Sequence, residues 1–458
     1  MATLEEIKKS VLDTYFARTP KAKAFTDELC QYMPGGDTRS KAFFKPYPFV
    51  AASASGHTIH DLDGNDVIDY VNNFTTLFLG HAHPGVVKAL QEQAARGTCH
   101  AAPIEQHLKH SKMLCDRIPC LEEIRYTNSA SEGTMYAMRA ARAFSKKEKF
   151  IVIDGGYNGC HDYVGMNIAP APAGADGYPV PTLEKGIPKS VQQDILVAAF
   201  NDLGNMEDIF AANKGQIAAV LMEPYLQAGG NVPPDQGYIE GVRALCDKYD
   251  ALLIFDETVT LRFHTGGWHT MIGVKADLMC FGKIIGGGLP VGAFGGRRDI
   301  MEQFNPGKPG YLGHSGTFSG NAMTMSAGIV YLEGITEEAI NRINALGDRL
   351  RSGVSRVFES RGIPIRGCGF GSMVGFKHKD TKINNSRQYA EGLKPYDETL
   401  DYMHLAMLNE GINYVERGLL VISTPMDEKI IDHTLQKFEK VADLLKPLFD
   451  ANSNSSKQ

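Results

Sequence analysis

Two stretches decide how this chain is read: Ala251-Leu252-Leu253-Ile254-Phe255-Asp256-Glu257 and Leu278-Met279-Cys280-Phe281-Gly282-Lys283. Each is a short apolar run closed by a charged side chain. Such a run fits a strand buried on both faces, the kind found in parallel sheets covered by helices. In an open parallel sheet, ligands bind outside the carboxyl ends of the strands. Asp256 and Lys283 end two such strands, so the pattern directs an acid and an amine toward one crevice.

Outward from these runs the same alternation continues. Phe150 to Ile153 and Ile217 to Met222 are further apolar runs, and helical spacing covers 85–96, 104–117, 131–144 and 238–249. This alternation predicts an α/β domain built on a mostly parallel sheet. Nearer the N-terminus, helical spacing (Ile7, Val11, Leu12, Tyr15) ends at Met33-Pro34-Gly35-Gly36 and gives way to β-rich text at Phe49 to Ala51, His57 to His60 and Val67 to Tyr70. Asp63-Gly64 is the hairpin signal between the last two. Residues 168–192, rich in Pro, Gly and Ala, read as a long surface loop. Beyond about 335 the text changes to a charged helix (338–360), strands near 372–377 and 418–423, and a helix at 427–448. The expected domains are an N-terminal segment 1–75, a large α/β domain 76–335, an α+β domain 336–450 and a disordered polar tail 451–458.

Composition narrows the function classes. The 458 residues are 43% hydrophobic and carry a net charge of −6, which excludes a strongly basic chain built to neutralise phosphates. No nucleic-acid partner is expected. No stretch approaches the roughly 20 apolar residues that cross a bilayer, and the start MATLEEIKKSVLDTYF lacks the basic opening and apolar run of a signal peptide. The 8 cysteines, from Cys30 to Cys368, include no C-x-x-C pair, so disulfide frameworks and zinc ribbons are poor readings and a cytoplasmic location is expected. His81-Ala82-His83 has no further ligand at plausible spacing, so no metal is expected. Gly282-Lys283 is not a nucleotide-binding loop, because Ile284 stands where Ser or Thr is needed and Asp277 where a glycine is needed.

A third element completes the chemistry. The helix from about 131 starts at Asn128-Ser129-Ala130-Ser131, and its unpaired amides and dipole would receive an anion such as a phosphate. A lysine for a Schiff base, an aspartate for a pyridinium nitrogen and a phosphate-receiving helix start are what pyridoxal 5'-phosphate requires. Gly286 to Gly288, just after the lysine, allow close backbone approach.

With these residues in place the chain resembles the fold-type I, class III pyridoxal phosphate aminotransferases from about Tyr32 to Lys446. The segments that carry the resemblance are Asn128 to Glu132, Gly156-Tyr157-Asn158-Gly159, Glu223-Pro224, Phe255-Asp256-Glu257, Gly282-Lys283 with Gly286 to Gly288, and His314-Ser315-Gly316-Thr317-Phe318. The resemblance implies an α/β large domain with a smaller α+β domain formed by the N- and C-terminal segments. It implies Lys283 as the Schiff-base lysine, Asp256 on the ring nitrogen and Tyr157 on the ring face. Ser129, Ala130 and Ser131 would take the phosphate, and Glu223 and Thr258 would complete the cofactor contacts. Thr317 would reach the cofactor phosphate of a neighbouring subunit, which implies a homodimer.

Two branches of the family share segments with this chain. Met33 to Ser40 and Glu416-Arg417-Gly418 are similar to aminotransferases for aromatic β-amino acids. That branch implies Arg39 and Arg417 as carboxylate holders for an amino donor and a keto-acid acceptor, a role the planar guanidinium fork suits. The Pro-Gly-Gly opening, Asp61 to Tyr70 and Gly316 to Asn321 are also similar to glutamate-1-semialdehyde 2,1-aminomutase, an intramolecular isomerase. The scaffold also supports pyridoxal epimerases and decarboxylases. The chain departs from the family at four places. Ala130-Ser131 replaces the usual Gly-Thr, Gly133 the usual Ala, Asn158 the usual His and Thr258 the usual Val. Gly133 reads as a change that weakens an exposed helix by about 1 kcal/mol.

Overall fold

The structure, a computed structural model, describes residues 3–170, 173–175 and 177–455. The chain divides into two units, one comprising Pro84–Ile340 with Lys382–Ala390 and the other Met1–His83, Asn341–Thr381 and Glu391–Gln458.

The first unit is built on a seven-stranded sheet. Its strands are β1 (Glu123–Thr127), β2 (Lys149–Ile153), β3 (Ile195–Ala198), β4 (Ile217–Met222), β5 (Leu252–Asp256), β6 (Leu278–Gly282) and β7 (Gly292–Gly296). Their spatial order is β1-β7-β6-β5-β4-β2-β3. The pairs β3–β2, β2–β4, β4–β5 and β5–β6 are parallel, whereas β7 runs antiparallel to both β6 and β1. Every residue of β4, β5, β6 and β7 is buried, as strands covered on both faces must be. The register pairs Met222 with Phe255 and Asp256 with Cys280, so β4, β5 and β6 end at one edge of the sheet.

Helices α1 (Pro84–Ala94), α2 (Glu105–Arg117), α3 (Ala130–Ser145), α4 (Leu203–Ala212), α5 (Tyr238–Lys248) and α6 (Ala322–Gly334) surround this sheet. The inner face of α3 buries Tyr136, Ala137, Met138, Ala140 and Ala141 in one core with Phe150, Leu221, Ile254, Cys280 and Phe294. Full burial of a large apolar side chain is worth about 1.5–3 kcal/mol, which fixes the helix to the sheet. Gly133 does not stand at an exposed position, where it would weaken the helix. It is buried, and a Cβ there would lie 2.9 Å from the Ala293 carbonyl oxygen. The missing side chain lets the first turn of α3 rest on β7.

The second unit gathers the two ends of the chain. The helix Leu4–Arg18 packs on the helices Asp397–Asn409 and Glu428–Ser455. A four-stranded sheet joins Ala51–Ser55, Thr58–Asp61 and Asp66–Asp69 to the short strand Ile412–Asn413, and a second sheet joins Ile365–Cys368, Met373–His378 and Leu420–Val421. The hairpin expected at Asp63-Gly64 is present, with Ile59 opposite Val67. The last helix runs to Ser455, past the point where a disordered tail was expected, and 456–458 lie outside the described residues. Among the described residues all 8 cysteines are free, no group of metal-binding side chains occurs, and no helix is long and apolar enough to cross a membrane.

Candidate active site

Three parallel strands deliver three ionisable groups to one edge of the sheet. Glu223 follows β4, Asp256 ends β5 and Lys283 follows β6. Lys283 is partly buried and its backbone is left-handed, with φ of +50°. A non-glycine residue held there stores about 1–2 kcal/mol of strain, and strain of this kind concentrates at functional sites.

Asp256 is 4% exposed, and each of its oxygens accepts a hydrogen bond. Its Oδ2 accepts a hydrogen bond from Asn158 Nδ2 at 3.0 Å, and its Oδ1 accepts one from the Thr258 amide at 3.0 Å. Burial pushes its carboxyl up from the ordinary range, while Thr258, Asn158 and the Lys283 charge pull it part of the way back. Glu223 is buried beside it. Its Oε1 accepts the Tyr157 amide at 3.2 Å, and its Oε2 accepts the Gln227 amide at 3.1 Å. Burial and the neighbouring Asp256 carboxylate push Glu223 up to about 7 despite these bonds. Tyr157 itself remains 48% exposed, its backbone fastened to Glu223.

The start of α3 lies against the end of β6. A Cβ on Gly282 would sit 3.0 Å from the Ala130 Cβ and 3.3 Å from the Val291 carbonyl oxygen, so a side chain there would push the helix start back by a few tenths of an ångström. Ser129 is the N-cap of α3, and its hydroxyl accepts the Glu132 amide at 3.2 Å. The Ser131 hydroxyl accepts the Cys160 amide at 3.2 Å. The amides of Ala130 and Ser131, in the first turn, have no acceptor within the helix. The Tyr157 loop is therefore tied to the helix start on one side and to Asp256 on the other.

The family model described as Aminotransferase class-III matches residues 42–441. The chain belongs to the class-III aminotransferases. It is 33% identical over 424 residues to a glutamate-1-semialdehyde 2,1-aminomutase of Methanosphaera stadtmanae, covering 92% of this chain and 97% of that one. Among solved structures, an omega-transaminase from Sphaerobacter thermophilus superposes with a TM-score of 0.88 at 33% identity, covering 93% of this chain and 98% of that one. A beta-phenylalanine aminotransferase from Variovorax paradoxus gives a TM-score of 0.85 at 29% identity, covering 95% and 97%.

The cofactor of this class-III aminotransferase is pyridoxal 5'-phosphate, and the residues present fit it. The unpaired amides at the start of α3 suit a phosphate. Asp256, close enough to Lys283 to feel its charge, suits a ring nitrogen. The Thr258 hydroxyl is buried beside the Asp256 carboxyl and helps to hold it in the charged form, which suits a protonated ring nitrogen.

The structure brings together Ser129, Ala130, Ser131, Tyr157, Glu223, Asp256, Thr258 and Lys283 within the first unit. Thr317 is exposed in the same unit, and a Cβ on its neighbour Gly316 would lie 3.2 Å from Asn128 Nδ2. Arg39 and Arg417 belong to the second unit, and both are exposed. Arg417 tops a tight turn closed by the Gly418 amide donating to the Val415 carbonyl at 2.7 Å. Arg39 donates from Nη1 to Asn73 Oδ1 at 2.6 Å and lies 5.6 Å from the Phe74 ring centroid. The sequence reading did not place Asn158 among the site residues. Its only sequence signal was an amide following Tyr157 where the family usually has an imidazole.

Proposed function

We propose that this enzyme moves an amino group from a carboxylate-bearing amine, such as a β-amino acid, to a keto acid such as 2-oxoglutarate or pyruvate. The observation that carries the reading is the shared edge of β4, β5 and β6, where Lys283 emerges beside the engaged carboxyl of Asp256.

When bound, pyridoxal 5'-phosphate supplies an electron sink for the negative charge left as a proton departs from the carbon bearing nitrogen. Lys283 would hold the cofactor covalently through Nζ, and the same amine, when free, would act as the base that takes the proton from the carbon bearing nitrogen and as the acid that delivers it to the cofactor's imine carbon. Asp256 keeps a negative charge against the ring nitrogen. The Ala130 and Ser131 amides, with the Ser129 and Ser131 hydroxyl protons, bind the phosphate. Tyr157 covers one ring face, and Glu223 fixes that tyrosine through its backbone. Arg39 and Arg417 grip the carboxylates of donor and acceptor. Thr317 binds the phosphate of a neighbouring subunit, which makes a homodimer the working unit. Because donor and acceptor use one site in turn, the kinetics are ping-pong.

A second reading, intramolecular amino transfer, is favoured by the aminomutase relatives. One experiment separates the two. Purified enzyme is given α-, β- and ω-amino donors with pyruvate or 2-oxoglutarate, and separately a single amino-carbonyl substrate with no acceptor. Acceptor-dependent turnover with parallel double-reciprocal lines supports the transferase. Isomerisation without an acceptor, and no turnover in the panel, overturns it in favour of the aminomutase.

A further inference from the structure

Asn158 bridges two parts of the site that the sequence holds far apart. Its side-chain amide donates to Asp256 Oδ2 at 3.0 Å, and its backbone carbonyl accepts the Thr134 hydroxyl of α3 at 2.7 Å. The residue is 5% exposed, so water does not replace either bond. One end of Asn158 is locked to α3, whose start would receive the phosphate, and the other end is bonded to the carboxylate that would meet the ring.

We infer that Asn158 is a positioning residue for pyridoxal 5'-phosphate, which aims the Asp256 carboxylate at the ring nitrogen through a donor that does not titrate. The inference rests on the pyridoxal reading of this site. A carboxamide carries the same two donor hydrogens at every working pH. An imidazole in the same place changes charge near neutrality and, once protonated, competes with the ring nitrogen for Asp256. The other titratable groups around Asp256 are Glu223 after β4, Lys283 and Cys280 on or after β6, and Tyr157 from the loop after β2. They are common to every variant compared, so their own titrations cancel in the comparison.

The test uses the full-length protein loaded with pyridoxal 5'-phosphate, with dissociation constants from equilibrium dialysis and absorbance spectra of the bound cofactor from pH 5.5 to 8.5. Asn158→Ala removes one hydrogen bond to a charged group and should weaken cofactor binding about tenfold and shift the visible band. Asn158→His should restore binding at the upper end of the range and add a pH-dependent transition absent from the unsubstituted protein. A role in packing alone would change the unfolding temperature without moving the band. Unchanged binding and spectrum in Asn158→Ala, or a pH profile of Asn158→His identical to that of the unsubstituted protein, overturns the inference and leaves the pyridoxal reading standing. An unsubstituted protein that takes up no cofactor overturns both.

Discussion

Asp256 and Glu257 are neighbours whose side chains have opposite duties. Asp256 serves the site, while Glu257, 0% exposed, is the acceptor for the Trp268 amide at 3.0 Å, the His269 amide at 2.9 Å and the Thr260 hydroxyl. His269 Nδ1 lies 2.9 Å from Glu257 Oε1, and its Nε2 lies 3.4 Å from Cys120 Sγ. This thiol, imidazole and carboxyl stand in the order of a nucleophilic triad. Cys120 is 8% and His269 2% exposed, however, so no substrate reaches them and the group braces the strand end instead. Burial alone would depress the His269 imidazole, but its bonds to Cys120 and Glu257 carry it up to about 9 from an ordinary 6.5. A folded pKa above the unfolded one gives stability that is complete below pH 6.5 and lost as pH rises through 9. Urea unfolding should therefore show roughly 3 kcal/mol less stability at the alkaline end than at pH 6. His269→Gln should flatten that slope, and an equal slope in the variant would contradict the assignment.

One short element carries more backbone strain than any single residue. Asn72, Asn73, Phe74 and Thr75 have φ of +48°, +47°, +55° and +77°, a left-handed turn made without glycine. At about 1–2 kcal/mol per residue this turn must be held from outside. The buried Asp69 does so, accepting the Val71 amide at 2.8 Å and the Asn72 amide at 3.2 Å, while Asn72 Nδ2 donates to the Val421 carbonyl at 2.7 Å. The turn presents Asn73 and Phe74 to Arg39, whose guanidinium has no carboxylate partner among the described residues. Asn73→Gly relieves the left-handed strain and removes the acceptor that orients Arg39. The unfolding temperature should hold or rise, while KM for carboxylate-bearing donors increases several-fold and KM for simple amines stays level. A uniform change in both KM values would separate the turn from carboxylate recognition.

Across the whole molecule, what could be read in advance followed burial. β4, β5 and β6, and β2 from Phe150 onward, were legible because fully buried strand residues make uninterrupted apolar runs. β1 was not, since Glu123-Ile124-Arg125-Tyr126-Thr127 sits at the sheet edge and mixes charge with apolar residues. β7 was not, since Gly292-Ala293-Phe294-Gly295-Gly296 lacks the side chains that mark a strand, and Gly292 admits the start of α3. Asp256 and Lys283 were legible as the closing residues of such runs. The hold of Asn158 on Asp256 was not, because it joins positions that only the folded sheet brings together. The account turns on the ε-nitrogen of Lys283 as the attachment point of the cofactor. Borohydride reduction of the loaded protein, followed by proteolysis and mass spectrometry, tests this directly. It should place one pyridoxyl phosphate on the peptide containing Lys283 and bleach the visible band. An adduct on another lysine, or none after saturation with the cofactor, would contradict the account.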